Sequence, residues 1–263
     1  MSEPVLRELD DHGVLQITLN RPEKKNAFND PQWDGLADAL NDARSDDRIA
    51  CVLLKGAGND FSSGQDLNAF AQPGEPRQDG FASGFFACRD ALHNFDKPML
   101  AAAKGVGVGG GMTLLFICDV VYVGESVRLR LPFPSLGLVP ELGSSYLLQA
   151  AIGKQRAAEL FFTAEWIDAT RAVETGIAAR AFPDDELFDA ALAKAREIAQ
   201  WPIDSLQATK RTLMLVHAAG IRAACVIEDE GMQQLAGSPA NQEAIRAFLE
   251  KRKPDFKKLR PQS

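Results

Sequence analysis

The stretch Lys104 to Asp119, KGVGVGGGMTLLFICD, decides how the rest of the chain is read. An apolar, strand-like run precedes it, Met99 to Ala103; a cluster of five glycines follows, and a short apolar helix closes the segment. Glycine lets a backbone approach a ligand closely or take up positive φ, and the first turn of a helix presents N–H groups without an intrahelical partner. An electron-rich ligand suits such a place, and so does a tight turn between a buried strand and a helix. Gly105-x-Gly107-x-x-Gly110 also satisfies the pattern of a dinucleotide-binding turn, with Glu125 near the position of the acid that folds of that type require. The helix between them spans only about two turns, and the surrounding motifs do not belong to a dinucleotide fold.

Outward from this segment the chain repeats strand, turn and helix. Residues 5–9 and 14–20 form two β-type runs around Asp11-His12-Gly13, a hairpin, and the chain leaves the sheet at Arg21-Pro22. Trp33, Leu36, Ala37 and Leu40 have helical spacing over Pro31 to Ala43, with Asp30 as the N-cap. Ile49 to Leu54 is a continuous apolar run of the kind that a strand buried on both faces shows. The polar loop FSSGQDL (Phe61 to Leu67) comes next, then Gln72 to Asp79, whose proline, glycine and charge read as a mobile surface excursion. A helical pattern covers Phe81 to Phe95. Beyond the glycines, Val120 to Val123 and Val127 to Leu131 read as strands and Ser144 to Ile152 as a helix. Such alternation predicts an α/β layer structure with ligand sites at strand ends. From Lys154 the pattern is nearly all helical, over 154–163, 168–175, 186–200, 203–217, 220–235 and 241–251, with Ala178 to Phe182 as a last short strand. Trp201-Pro202 marks a boundary. It divides a core of residues 1–200 from a helical region, 201–263, that packs on the main domain or on another subunit.

The 263 residues carry a formal charge of −7 and a pI near 5.1, which leaves no electrostatic footprint for nucleic acid. The terminal cluster Lys251, Arg252, Lys253, Lys257, Lys258 and Arg260 is locally basic and reads either as a solvated tail or as a site for a phosphate-bearing small ligand. No run approaches the ~20 apolar residues of a spanning helix, and the N-terminus lacks the pattern of a signal peptide, so a cytoplasmic protein is expected. Cys51, Cys88, Cys118 and Cys225 are widely separated and read as buried small hydrophobes; with His12, His93 and His217 also scattered, neither a metal site nor a Ser-His-Asp arrangement is indicated.

Five segments in order carry a resemblance that spans nearly the whole chain: RPEKKNAFN (Arg21 to Asn29), FSSGQDL, the glycine stretch, LPFPSLGLVPELGSSYLL (Leu131 to Leu148) and FLEKRKPDF (Phe248 to Phe256). In sequence and spacing the chain resembles the crotonase, or enoyl-CoA hydratase/isomerase, superfamily. The resemblance implies a crotonase-like α/β spiral of ββα units and a C-terminal helical trimerisation region. It implies an acyl-CoA thioester substrate, whose coenzyme A is the only cofactor moiety, a homotrimer or dimer of trimers, and a place in fatty-acid β-oxidation. It further implies that the backbone N–H groups of Gln65 and Gly110 grip the thioester oxygen. Preorganised donors stabilise the enolate formed by C2 deprotonation more than the ground state, and losing one costs about 3–4 kcal/mol.

Hydratases of the family resemble one another in two glutamates, one two residues past the triple glycine and one in a P-E-x-x-x-G segment. Here those positions hold Thr113 and Phe133, neither of which can serve as the base at neutral pH. Glu141, in PELGSSY (Pro140 to Tyr146), is similar in position to the single base of peroxisomal-type Δ3-Δ2-enoyl-CoA isomerases. It also fits a plain acidic residue at a helix N-terminus. As a base it takes the C2 proton and returns it at C4, and Phe133, Leu138, Val139 and Leu142 around it are expected to raise its pKa. The resemblance assigns Lys24, Ala27, Ser63, Gly64, Gln65, Asp66, Leu67, Thr113 and Phe133 to substrate or CoA contacts, and Lys257 to a phosphate, from a neighbouring subunit or its own. Asp66 equally suits a loop-turning role, and Phe161, Phe162 and Trp166 suit either acyl-pocket walls or plain core. Hydration, thioester hydrolysis with a water placed by Ser144 or Thr113, and acyl-CoA binding without catalysis are the alternatives.

Overall fold

The computed structural model describes residues 3–66 and 83–259; Leu67, the Gln72 to Asp79 stretch and the expected helix start at Phe81 lie outside the described residues. β1 (Val5–Leu9) and β2 (Val14–Leu19) form the antiparallel hairpin, Val5 opposite Leu19. The Asp10 carboxylate shapes its turn by accepting from the N–H of His12 (2.9 Å) and Val14 (3.0 Å). α1 spans Asp30–Ser45, and its cap is Asn29 rather than Asp30: the Asn29 side chain accepts from Gln32 N–H at 3.1 Å. The helical spacing delivers Trp33, Leu36, Ala37 and Leu40 to the core.

β3 (Cys51–Gly56) lies two residues later than the apolar run suggests, because Ile49 and Ala50 are held in a turn by bonds to Asp46 O (3.0 Å) and Gly13 O (2.9 Å). α2 (Gly84–Asn94) leads into β4 (Met99–Ala103). Inside the glycine stretch stands a strand the sequence did not announce, β5 (Val106–Val108), followed by the short helix α3 (Gly110–Thr113). β6 (Val120–Gly124) joins the main sheet. The Val127 to Leu131 run does not: β7 (Arg128–Arg130) pairs in parallel with β5 in a second, two-stranded sheet, with Gly107 opposite Leu129. A Cβ at Gly107 would stand 2.6 Å from Leu129 Cδ2, so the glycine makes room for the leucine that this pairing buries.

Downstream come α4 (Ser144–Ile152), α5 (Lys154–Thr163), α6 (Ala169–Thr175), β8 (Arg180–Phe182), α7 (Leu187–Ala199), α8 (Ile203–Leu215), α9 (Ala218–Leu235) and α10 (Pro239–Leu249). The main sheet has the order β1-β2-β3-β4-β6-β8 and is parallel beyond the hairpin. Side-chain alternation gives it two buried faces. Val52 and Leu54 point into the larger core with α1 and α2, while Cys51 and Leu53 pack with Leu100, Tyr122 and the α7 residues Leu187, Ala191 and Ala195. α8 is tied to this body by Lys210, whose Nζ donates to Lys97 O and pairs with Asp119, each at 2.9 Å. Among the described residues no helix is long and apolar enough to cross a membrane, and no cluster of His, Cys, Asp and Glu could hold a metal ion.

Candidate active site

Two loops and one strand end converge at the start of α3. RPEKKN is wound into a compact turn by Asn26, fully buried, whose amide donates to Ala57 O (2.9 Å) and Asp60 O (2.8 Å) while its carbonyl accepts from Arg21 N–H (2.9 Å). FSSGQD lies against that turn: Ser63 N–H donates to Lys25 O at 2.9 Å and Ser63 Oγ to Lys24 O at 3.3 Å. The Arg21 guanidinium donates to Ala27 O and reaches Asp66 Oδ2 at 3.1 Å. Lys24, Ala27, Ser63, Gly64, Gln65 and Asp66 are thereby brought together, whereas Lys257 is exposed on the terminal turn Phe256–Leu259. The ion pair of Asp66 with Arg21 ties the two loops together.

The other side of FSSGQD pairs with the second sheet. Ser62 N–H donates to Val106 O (2.9 Å), and Val108 N–H donates to Ser62 O (3.0 Å). Gly64 has φ +84, and a Cβ there would stand 2.4 Å from Val108 O and 3.3 Å from Gly110 N. Only glycine lets the loop sit this close to the strand end. Its carbonyl accepts from Phe28 N–H at 2.8 Å, so the Gln65 N–H, in the same trans peptide, points the opposite way. Gly110 opens α3, its own N–H lying in the first, unpartnered turn, and Met112 and Thr113 bond back to Gly109 O. Among the described residues neither amide, Gln65 or Gly110, has a hydrogen-bond acceptor. Two adjacent free donors of this kind are what an oxyanion requires.

Glu141 lies beside Gly110: a Cβ on that glycine would stand 3.2 Å from Glu141 Oε1. Glu141 retains some surface as a residue, but its carboxyl is enclosed, and burial, with the negative charge of Glu228 adding to it, pushes its pKa up to about 7. Thr113 is buried and turns its hydroxyl onto Gly110 O at 3.3 Å, and Phe133 is a core residue whose ring centroid lies 6.4 Å from that of Phe161. Of the other two aromatic candidates, Phe162 is 80% exposed and Trp166 lies near the surface, its ring 5.3 Å from the guanidinium of Arg128 and of Arg130. Neither is a core residue.

Two residues at the site escaped sequence reading. Trp33 donates its indole N–H to Gln65 Oε1 at 2.9 Å and presents its ring edge to Gly110, 3.4 Å from a Cβ placed there. Its ring stacks on Phe28 at 3.7 Å between centroids. Its helical spacing announced only core, and it is core as well. Glu228, from the acidic Glu228-Asp229-Glu230 run on α9, is 5% exposed and bonds to the backbone after Glu141. Nothing in the sequence distinguishes it from a solvated helix face.

With this geometry in place, comparisons with known proteins are informative. The family model described as enoyl-CoA hydratase/isomerase matches residues 10–260. The chain is 35% identical to the 1,2-epoxyphenylacetyl-CoA isomerase of Escherichia coli K12 over 97% of its own length and 99% of that protein's. It is 34% identical to the 2,3-dehydroadipyl-CoA hydratase of the same organism, covering 93% and 95% of the two chains. A crystal structure of an enoyl-CoA hydratase/isomerase from Pseudoalteromonas atlantica T6c superposes with a TM-score of 0.92 at 34% identity, over 96% of this chain and 99% of that one.

Proposed function

The chain belongs to the enoyl-CoA hydratase/isomerase family and has the crotonase fold, and from that premise we propose that it isomerises 3-enoyl-CoA to 2-enoyl-CoA thioesters. The family implies an acyl-CoA substrate. In the proposed cycle the thioester oxygen lies between the N–H groups of Gln65 and Gly110, and the Glu141 carboxylate removes a C2 proton. The electron pair moves into a dienolate held by the two donors. The double bond shifts to C2–C3 as the Glu141 carboxyl returns the proton at C4. The reaction is a net proton transfer and balances without water or a redox partner. A well-placed base contributes roughly 10²- to 10⁴-fold and each oxyanion donor about 3–4 kcal/mol.

The observation that carries this reading is the Glu141 carboxylate beside Gly110, with threonine and phenylalanine at positions 113 and 133. One carboxyl that is neutral as readily as charged near pH 7 suits a shuttle that must both take and return a proton. Hydration of 2-enoyl-CoA is the second reading, favoured by the hydratase names that most of the similar proteins carry, and it needs a second group to place the water. The test offers purified protein 3-enoyl-CoA and 2-enoyl-CoA thioesters side by side. Isomerisation of the first, abolished in Glu141→Gln, supports the proposal. Conversion only of 2-enoyl-CoA to its 3-hydroxy product sinks it in favour of hydration, and acyl-CoA binding without turnover of either leaves a binding protein.

A further inference from the structure

Glu141 is followed by two left-handed residues in succession, Leu142 at φ +61 and Gly143 at φ +73. Gly143 takes this conformation freely, but Leu142 does so against the steric preference of its Cβ, so the turn needs support from outside itself. Its own end offers little. Gly143 stands at the N-cap of α4, where it has no side chain to satisfy the first-turn amides, and Ser144 makes no capping bond.

The support comes from 85 residues along the chain. Glu228 Oε2 accepts from Gly143 N–H at 2.7 Å, and Glu228 Oε1 accepts from Ser145 N–H at 2.9 Å. Both oxygens of one carboxylate are spent on amides that bracket the start of α4, two residues past Glu141. Charge-assisted bonds of this kind are about twice as strong as neutral ones, and an anion at a helix N-terminus is favoured by the dipole. α9 and α2 close over the turn: a Cβ on Gly143 would lie 3.2 Å from Ile221, 3.4 Å from Cys225 Sγ and 3.7 Å from His93 Cε1.

We propose that Glu228 is the positioning residue for the proton-transfer base, its carboxylate holding the strained Leu142–Gly143 turn in the one conformation that directs Glu141 at Gly110. This rests on the reading of Glu141 as base given above. Glu228 touches no reacting atom and acts only through the turn and through its charge.

Among the described residues Glu228 forms no salt bridge. On α2, Arg89 is committed to Asp229 at 2.7 and 2.8 Å, and burial, then the charge of Arg89, push His93 down to about 4, keeping it neutral; Asp90 adds a further acid. On α9, the Cys225 thiol is pushed up to about 11 by burial and then by Glu228 itself. On α4, Tyr146 is hydrogen-bonded to His217 at 3.1 Å. Glu228 thus makes the surroundings of Glu141 more negative as well as rigid, and both effects can be read separately.

The experiment compares Glu228→Gln and Glu228→Asp with the unaltered protein, using the pH profile of kcat/KM on a 3-enoyl-CoA and a carbon-13 NMR titration of the Glu141 carboxyl in ligand-free protein, assigned by its loss in Glu141→Gln. In Glu228→Gln the Glu141 midpoint and the acid limb of the profile are expected to fall by about one pH unit, as a like charge is removed. Glu228→Asp keeps the charge and hence the midpoint, but is too short to hold both amides. In both variants kcat is expected to drop about tenfold or more with KM nearly unchanged, since a misplaced base costs rate rather than binding. An unmoved midpoint in Glu228→Gln together with unchanged kcat in both variants overturns the proposal. Should Glu228→Gln not fold, a Glu228→Asp protein with full kcat overturns it as well. If the unaltered protein converts no 3-enoyl-CoA, the reaction proposed above fails, and the ligand-free titration alone then decides on Glu228: a lowered midpoint in Glu228→Gln sustains it, an unchanged one removes it.

Discussion

At the scale of single residues, the site rests on what two glycines omit and on what burial does to one carboxyl. Gly64→Ala places a Cβ 2.4 Å from Val108 O at φ +84, so we expect a loss of at least about 2 kcal/mol in urea unfolding together with loss of turnover. Glu141 carries a pH signature with a definite sign. Its pKa is raised from about 4.5 to about 7 in the folded protein, so the folded state binds more protons between those values and stability falls as pH rises through that window. Glu141→Gln, neutral throughout, should therefore unfold at higher temperature than the unaltered protein at pH 8, by an amount equivalent to about 1–3 kcal/mol, and show no such gain at pH 4. Equal melting shifts at the two pH values would contradict this assignment. For the same reason kcat/KM on a 3-enoyl-CoA should climb with pH through about 7, where the base loses its proton.

At the scale of elements, α1 and the two loops act as a unit. Trp33 comes from the buried face of α1 and fixes the Gln65 side chain by one hydrogen bond. Trp33→Phe keeps an aromatic ring against Phe28 but removes that donor. We expect kcat to fall by about three- to tenfold with little change in KM, from a loosened donor loop; a change in KM alone would assign the tryptophan to substrate binding instead. The RPEKKN turn depends on Asn26, whose side chain makes three backbone hydrogen bonds in full burial. Asn26→Ala leaves those groups without partners and should cost about 2–4 kcal/mol, measured by denaturant unfolding. The two loops could be recognised from their motifs, yet the bonds that zip them together, Ser63 to Lys25 and Arg21 to Asp66, join residues about 40 apart and leave no trace in local periodicity.

At the scale of the whole molecule, Leu213 and Leu215 on α8, Val226 and Ile227 on α9, and Phe248 and Leu249 on α10 are exposed apolar side chains. A trimer or dimer of trimers, as the family resemblance implies, gives them a place to bury. Sedimentation velocity should find such an assembly, and Ile227→Glu should shift it toward smaller species; a monomer in the unaltered protein would count against it. The sequence by itself determined the α/β class, the hairpin, the buried strands and the helices, since each is written in a period of two or 3.6 and in its caps. The resemblance to the enoyl-CoA hydratase/isomerase family pointed to the N–H groups of Gln65 and Gly110 as candidate oxyanion donors and, with no acid at 113 or 133, to Glu141 as the candidate base. Only the tertiary structure decided that Val106–Val108 pairs with Arg128–Arg130 in a sheet of its own, that Trp33 braces Gln65, and that Glu228 crosses from α9 to hold the turn behind Glu141. Those contacts depend on which surfaces meet when the layers close, and a partner 85 residues away carries no local signature that a one-dimensional pattern could hold.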